Sequence, residues 1–91
     1  TSWGKKGTAP GEFDVVNALA IDDRKRLYAA DFYNHRIQVF TSGGKFLLQF
    51  GAPGKTPAQF DRPTDLAVDA SGNIYVVDFG NNRVQKFRLP E

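Results

Sequence analysis

Apolar residues along this chain fall in short alternating runs bounded by turn residues, not at helical spacing. Ile74-Tyr75-Val76-Val77 is a β-branched and aromatic stretch. Asp69-Ala70-Ser71-Gly72-Asn73 precedes it and Asp78-Phe79-Gly80-Asn81-Asn82 follows it, both rich in residues that tolerate turn geometry. Asp65-Leu66-Ala67-Val68 is a second short run, and Arg83-Val84-Gln85-Lys86-Phe87 alternates with Val84 and Phe87 as its apolar members. Upstream, Thr41-Ser42-Gly43-Gly44 turns the chain into Lys45-Phe46-Leu47-Leu48-Gln49-Phe50, a fourth kind of strand. The pattern is all-β.

The same pattern occurs twice. A shift of 47 residues superposes Gly4 on Gly51, Phe13 on Phe60, Leu19-Ala20 on Leu66-Ala67 and Asp22 on Asp69. Tyr28, Asp31, Asn34, Arg36, Gln38 and Phe40 then meet Tyr75, Asp78, Asn81, Arg83, Gln85 and Phe87. In all, 15 of the 44 overlapping positions are identical without a gap. Each unit reads as four antiparallel strands, a to d from the inside outward. A tandem unit of this size with four strands predicts β-propeller blades. A sandwich of eight strands is the competing reading, but it has no need of two equal halves.

The motifs resemble the NHL repeat. Gln59-Phe60-Asp61-Arg62-Pro63, Leu66-Ala67-Val68-Asp69, Gly72 to Asp78 and Asn81 to Phe87 carry the likeness in the second copy. Asp31 to Phe40 carries it in the first, with Asn34-His35-Arg36 where the family's naming Asn-His-Leu falls. The first copy departs at Asp23-Arg24-Lys25-Arg26, where the usual Asp-Gly-Asn-type turn is missing, and at Val15-Val16, where the second has Arg62-Pro63. Remodelled loops are expected at both places. The resemblance implies a six-bladed propeller, and this chain supplies two blades.

A pair of blades leaves one apolar face open at each end, as any short repeat array does. Residues 1–4 read as the tail of an outer strand d, residues 5–51 as the first blade, and residues 52–91 as a second blade lacking its own strand d. Head-to-tail exchange is therefore expected, in which Thr1, Ser2, Trp3 and Gly4 of one copy meet Arg83, Val84, Phe87 and Leu89 of another. Three copies give six blades, a homotrimer; a tetramer of eight blades is the second choice.

Composition narrows the chemistry. The 91 residues include 12 Lys and Arg against 10 Asp and Glu, no Cys, no Met and one His. Without Cys there is no disulfide scaffold, thiolate nucleophile or Cys-built metal site. One His allows no multi-histidine metal site within a chain, and no cofactor is expected. A net charge of +2 is too mild to demand nucleic acid. No apolar run is long enough to span a membrane, and no charged segment leads into an apolar one as in a secretory leader. The absence of Met at position 1 is what a processed product or an excised fragment would show. Ser2, Ser42 and Ser71 lie at the terminus or in turns, without a nucleophile elbow or a nearby His, so no enzyme is expected.

Antiparallel order places the b–c and d–a loops on one face. That face collects Lys5, Lys6, Tyr33, His35, Lys55, Arg62 and Phe79, a candidate surface for protein or single-stranded RNA. His35 is expected to be an exposed turn residue, and Arg24-Lys25-Arg26, on the opposite face, a solvated one. Asp31, Asn34 and Arg36, with Asp78, Asn81 and Arg83, recur once per blade. Repetition favours turn chemistry, with Asp bonding the backbone and Arg bridging loop carbonyls, over catalysis. The expected function is a structural, self-assembling propeller module; the alternative is an NHL-type domain that binds protein or RNA.

Overall fold

The computed structural model describes residues 2–89 and forms two antiparallel sheets. The first has four strands in the order β1 (Val16–Ile21), β2 (Arg26–Asp31), β3 (Arg36–Thr41) and β4 (Phe46–Phe50). The second has three, β5 (Pro63–Val68), β6 (Asn73–Asp78) and β7 (Arg83–Arg88). Within each sheet sequential neighbours pair, as short turns require. A single turn of 3-10 helix, Phe32–Asn34 or Phe79–Asn81, joins the second and third strands of each sheet. It ends on a left-handed residue, His35 or Asn82.

Tight turns join the first and second strands, and one Asp builds each. The Oδ1 of Asp22 accepts the N–H groups of Arg24 and Arg26, both at 2.9 Å. Asp69 does the same for Ser71 and Asn73, at 3.0 and 2.9 Å. The remodelling expected at Asp23 to Arg26 does not occur. Both turns close with the same backbone bonds, and Lys25 takes the left-handed conformation (φ 61°) that Gly72 (φ 86°) takes in the second copy. Nor does it occur at Val15, whose φ of 66° matches the 57° of Arg62. The Asp-built hydrogen bonds dominate over the side chain's reluctance to enter this region. Lys25→Gly should therefore raise stability by about 1 kcal/mol, since a left-handed non-glycine residue costs about 1–2 kcal/mol and glycine returns part of that in chain entropy. A shift of the urea midpoint to higher concentration with unchanged slope would show it; a lower midpoint would contradict it.

Arg26 also departs from expectation. It is half-buried, and its Nε donates to Asp22 Oδ2 at 2.6 Å, beside the Tyr28 hydroxyl, which donates to the same oxygen at 2.7 Å. Burial, together with that bond, pushes the Tyr28 hydroxyl up to about 12.

The core lies between the two sheets. One face of the first sheet contributes Ala18, Ala20, Tyr28, Ala30, Ile37, Val39, Leu48 and Phe50. The facing side of the second contributes Phe60, Leu66, Val68, Ile74, Val76 and Phe87. Strand alternation puts these residues on one side, and among the described residues no second sheet covers the other side of either sheet. Phe50 at the end of β4 lies 5.0 Å from Phe87 and 6.5 Å from Phe60, ring centre to ring centre. Such aromatic clusters add about 0.5–1.5 kcal/mol per pair beyond the area they bury.

Candidate functional site

Each sheet ends at a buried carboxylate that fastens the long entry loop. In the first, Asp31 Oδ1 accepts the Asp14 N–H at 2.7 Å. Its Oδ2 accepts from Asn34 Nδ2, Arg36 Nε and Gln38 Nε2 at 3.0, 2.8 and 3.2 Å. Arg36 then reaches back to the loop, donating to the carbonyls of Thr8 and Glu12 and to Gln49 Oε1. Asn34 holds the Gly7 carbonyl at 2.8 Å, and Gln38 holds that of Glu12 at 2.6 Å. The second sheet repeats this arrangement: Asp78 takes Asp61 N–H, Asn81, Arg83 and Gln85, and Arg83 and Gln85 both hold the Gln59 carbonyl. Among the described residues, no buried side-chain nitrogen or oxygen lacks a partner.

Gln38 and Gln85 belong to this network, although the motif read from the sequence stops at the Asp, Asn and Arg. The signal was present in the 47-residue alignment, where the two glutamines superpose. A repeated polar residue on a strand otherwise apolar on one face is the mark of a loop clamp.

Burial alone would raise the Asp78 carboxyl. The hydrogen bonds from the Asp61 N–H, Asn81 and Arg83, with the Arg83 charge, outweigh it and hold the group below the ordinary carboxylate range. A carboxyl depressed in the folded state contributes stability above its unfolded value, near pH 3.9, and loses it as pH falls through the folded value. The chain should thus be insensitive to Asp78 above about pH 5 and lose stability below about pH 4. Asp78→Asn should be less stable at neutral pH and show a shallower acid limb in urea midpoints measured from pH 2 to 7; an unchanged acid limb would contradict this.

The loop-face residues fall into two groups. His35, Lys55, Asp61, Asn81, Pro53, Gly54 and Phe60 line one hollow where the two sheets meet. Arg62 sits beside it, its Nε 2.9 Å from Asp61 Oδ1 and its guanidinium 5.3 Å from the centre of the exposed Phe79 ring. His35 is not the solvent-exposed residue expected. It is half-buried, and its Nδ1 accepts the Arg62 N–H at 3.0 Å, a hydrogen bond from the first sheet to the second. Lys5 and Lys6 line a separate hollow with Trp3, Phe13, Asp14 and Val15, and Lys5 pairs with Glu12 at 3.5 Å. Tyr33 is exposed and meets Phe32 edge-on at 4.6 Å.

The residues expected at an interface between copies are also divided. Thr1 lies outside the described residues. Ser2 and Gly4 are exposed, and Trp3 lies against Phe40 at 5.9 Å in its own chain. Phe87 and Leu89 pack onto the intramolecular core, Arg83 is half-buried, and Val84 is exposed.

The pattern of NHL repeats matches this chain twice, at residues 13–40 and 60–87. The matches begin at the loop Phe and end at the third-strand Phe of each sheet, so they include both buried carboxylates and their Asn, Arg and Gln partners. A stretch of 49 residues is 37% identical to Protein brain tumor of Drosophila melanogaster, covering 54% of this chain and 5% of that protein. The chain thus spans a small fraction of that relative's length. With the two matches together covering more than half the chain, and each running through the first three strands of one antiparallel sheet, the chain belongs to the NHL-repeat family.

Proposed function

We propose that the chain is a non-enzymatic propeller module for binding, built to close a ring by head-to-tail association of copies and to present its b–c and d–a loops to a macromolecular partner. One observation carries the ring: equivalent positions in the two sheets differ in exposure according to which sheet face is covered. Leu19 is 60% exposed and its counterpart Leu66 6%; Val84 is 63% exposed and its counterpart Ile37 0%. The first sheet's open face, with Trp3, Phe13, Val16, Leu19, Leu27 and Phe40, forms an apolar groove. It is the repeat of the face that receives a sheet inside the chain. The second sheet's open face, with Val77 and Val84, is the repeat of the face that fills such a groove. A second copy of this chain therefore offers each face its complement.

The course of the entry loop supports strand addition as well. Gly4 and Gly51 share a φ of 101° and 103°, and the bridges Lys6 to Phe13 and Pro53 to Phe60 are equivalent. Trp3 thus leaves the loop as Phe50 does at the end of β4. In that register it would stand opposite Val84 of a preceding copy, as Phe50 stands opposite Ile37. Trp3 would then span the joint, paired to one copy and packed on Phe40 of its own. The ring of six blades is a homotrimer, and size exclusion with light scattering tests it.

A second reading concerns the loop face. Exposed Tyr33 and Phe79, with Arg62 over Phe79, Lys5 and Lys6 in one hollow and Lys55 in another, offer stacking and charge to a protein or single-stranded RNA. RNA binding would weaken steeply with salt, and changing Lys5 and Lys6 to Ala would lower affinity and flatten that slope. Fluorescence titration with an unstructured RNA across salt concentrations measures both; no binding, or no salt slope, would remove nucleic acid as the partner.

A further inference from the structure

Among the described residues, a hydrogen bond joins the loops of the two sheets, from the Arg62 N–H to His35 Nδ1 at 3.0 Å. The repeat carries both partners to the open ends. Asn82 is the counterpart of His35, and Val15 the counterpart of Arg62. Their backbones match. His35 has φ 53° and ψ 43°, and Asn82 φ 54° and ψ 45°. Arg62 and Val15 have φ of 57° and 66°. The acceptor atoms match too, since Nδ1 of His and Oδ1 of Asn stand the same number of bonds from Cα.

Val15 adds an independent observation. A β-branched residue at positive φ is strained. Its carbonyl is fixed by the Phe32 N–H at 3.0 Å, while its own N–H finds no hydrogen-bond partner among the described residues, and its side chain is exposed. Strain of this kind persists where the surroundings over-determine the backbone. Here it holds an N–H donor at the φ that Arg62 shares, and nothing among the described residues receives it.

We propose that Asn82 keys the joint between two copies, its Oδ1 accepting the Val15 N–H of the next copy. This rests on the head-to-tail reading and names the contact that sets its register. Apolar faces alone tolerate sliding. A directional bond at the loop end of each junction fixes one sheet against the next, as His35 does within the chain. The rival explanation is that Asn82 merely closes the Phe79–Asn81 turn, since Asn is well suited to the left-handed region.

Two variants separate these roles. Asn82→Gly keeps the left-handed residue and removes the acceptor. Asn82→His keeps an acceptor at the equivalent atom. Association is followed by light scattering over a dilution series, and the Val15 amide by hydrogen exchange. Asn82→Gly should weaken association about tenfold per junction, the effect of losing one buried hydrogen bond, and expose the Val15 amide to exchange. Asn82→His should assemble within about twofold of the parent and keep that amide protected. Circular dichroism should show the same strands in all three. Parent-like assembly of Asn82→Gly, or its loss in Asn82→His equal to that in Asn82→Gly, would overturn the key while leaving head-to-tail association standing. A parent chain that is monomeric at every concentration would overturn both.

Discussion

Asp31→Ala is expected to cost the chain a large share of its stability. The Asp31 carboxylate is fully buried, and the Arg36 side chain it holds is only 7% exposed. Removing the acid leaves a guanidinium in the interior with no counter-charge, together with the Asp14 N–H, Asn34 and Gln38 donors that had shared its two oxygens. Breaking a buried pair in this way costs about 3–5 kcal/mol, a large share of the roughly 5–15 kcal/mol that holds a domain together. The loop from Gly7 to Asp14 would be released with it, because Arg36, Asn34 and Gln38 hold its carbonyls. Asp78→Ala should be milder. Arg83 is 31% exposed, so water can solvate the abandoned cation. Urea denaturation of the two variants side by side checks the ranking. A loss below about 1 kcal/mol in Asp31→Ala would mean that the clamp is not a stabilising element.

Val84→Asp is expected to abolish association while leaving the individual chain folded. Val84 is exposed, so the carboxylate meets water in the isolated chain, and the change costs no more than about 1 kcal/mol of strand preference. In a head-to-tail joint the same position is covered, as Ile37 is covered within the chain. An unpaired charge there costs several kcal/mol at each junction, which lowers association at least about a hundredfold. Ile37→Asp should behave oppositely and unfold the chain itself. Light scattering and circular dichroism on both variants measure the contrast. Parent-like assembly by Val84→Asp would place Val84 outside any joint.

The sheets were legible because two signals coincide. Strand alternation located the runs, and the 47-residue repeat let each copy check the other. The clamp was legible to the level of Asp, Asn and Arg, since these recur at fixed spacing beside turn residues. Gln38 and Gln85 escaped because a polar residue within a strand reads as solvent-facing until the loop that covers it is placed. His35 was misjudged for a related reason. A turn histidine looks exposed locally, and only the approach of Arg62 from the other sheet makes it half-buried and bonded. The Arg24 to Arg26 run was misjudged through composition: three cations in a turn suggest solvation, yet Asp22 recruits Arg26 to the sheet. Phe87 shows how face assignment settles a residue's role. Val84 and Phe87 share a strand, but odd spacing puts them on opposite sides, so Phe87 serves the joint inside the chain and Val84 the face left open.

The same alternation explains why the two open faces are not identical to the covered ones. Lys86 stands where Val39 stands in the first sheet, and Asp65 where Ala18 stands. Lys86 lies 5.9 Å from the centre of the Tyr75 ring, so its stem lies along the apolar face while its charge stays at the edge. The proposed joint between copies would therefore be more polar than the joint within a chain, and its strength should depend more on salt.

The most direct test of the account is the mass of the 91-residue chain in solution, by size exclusion with light scattering over a range of concentrations. Head-to-tail closure predicts a species at three times the 10.1 kDa chain mass, unchanged on moderate dilution. A folded species that stays at 10.1 kDa up to the highest soluble concentration would contradict it.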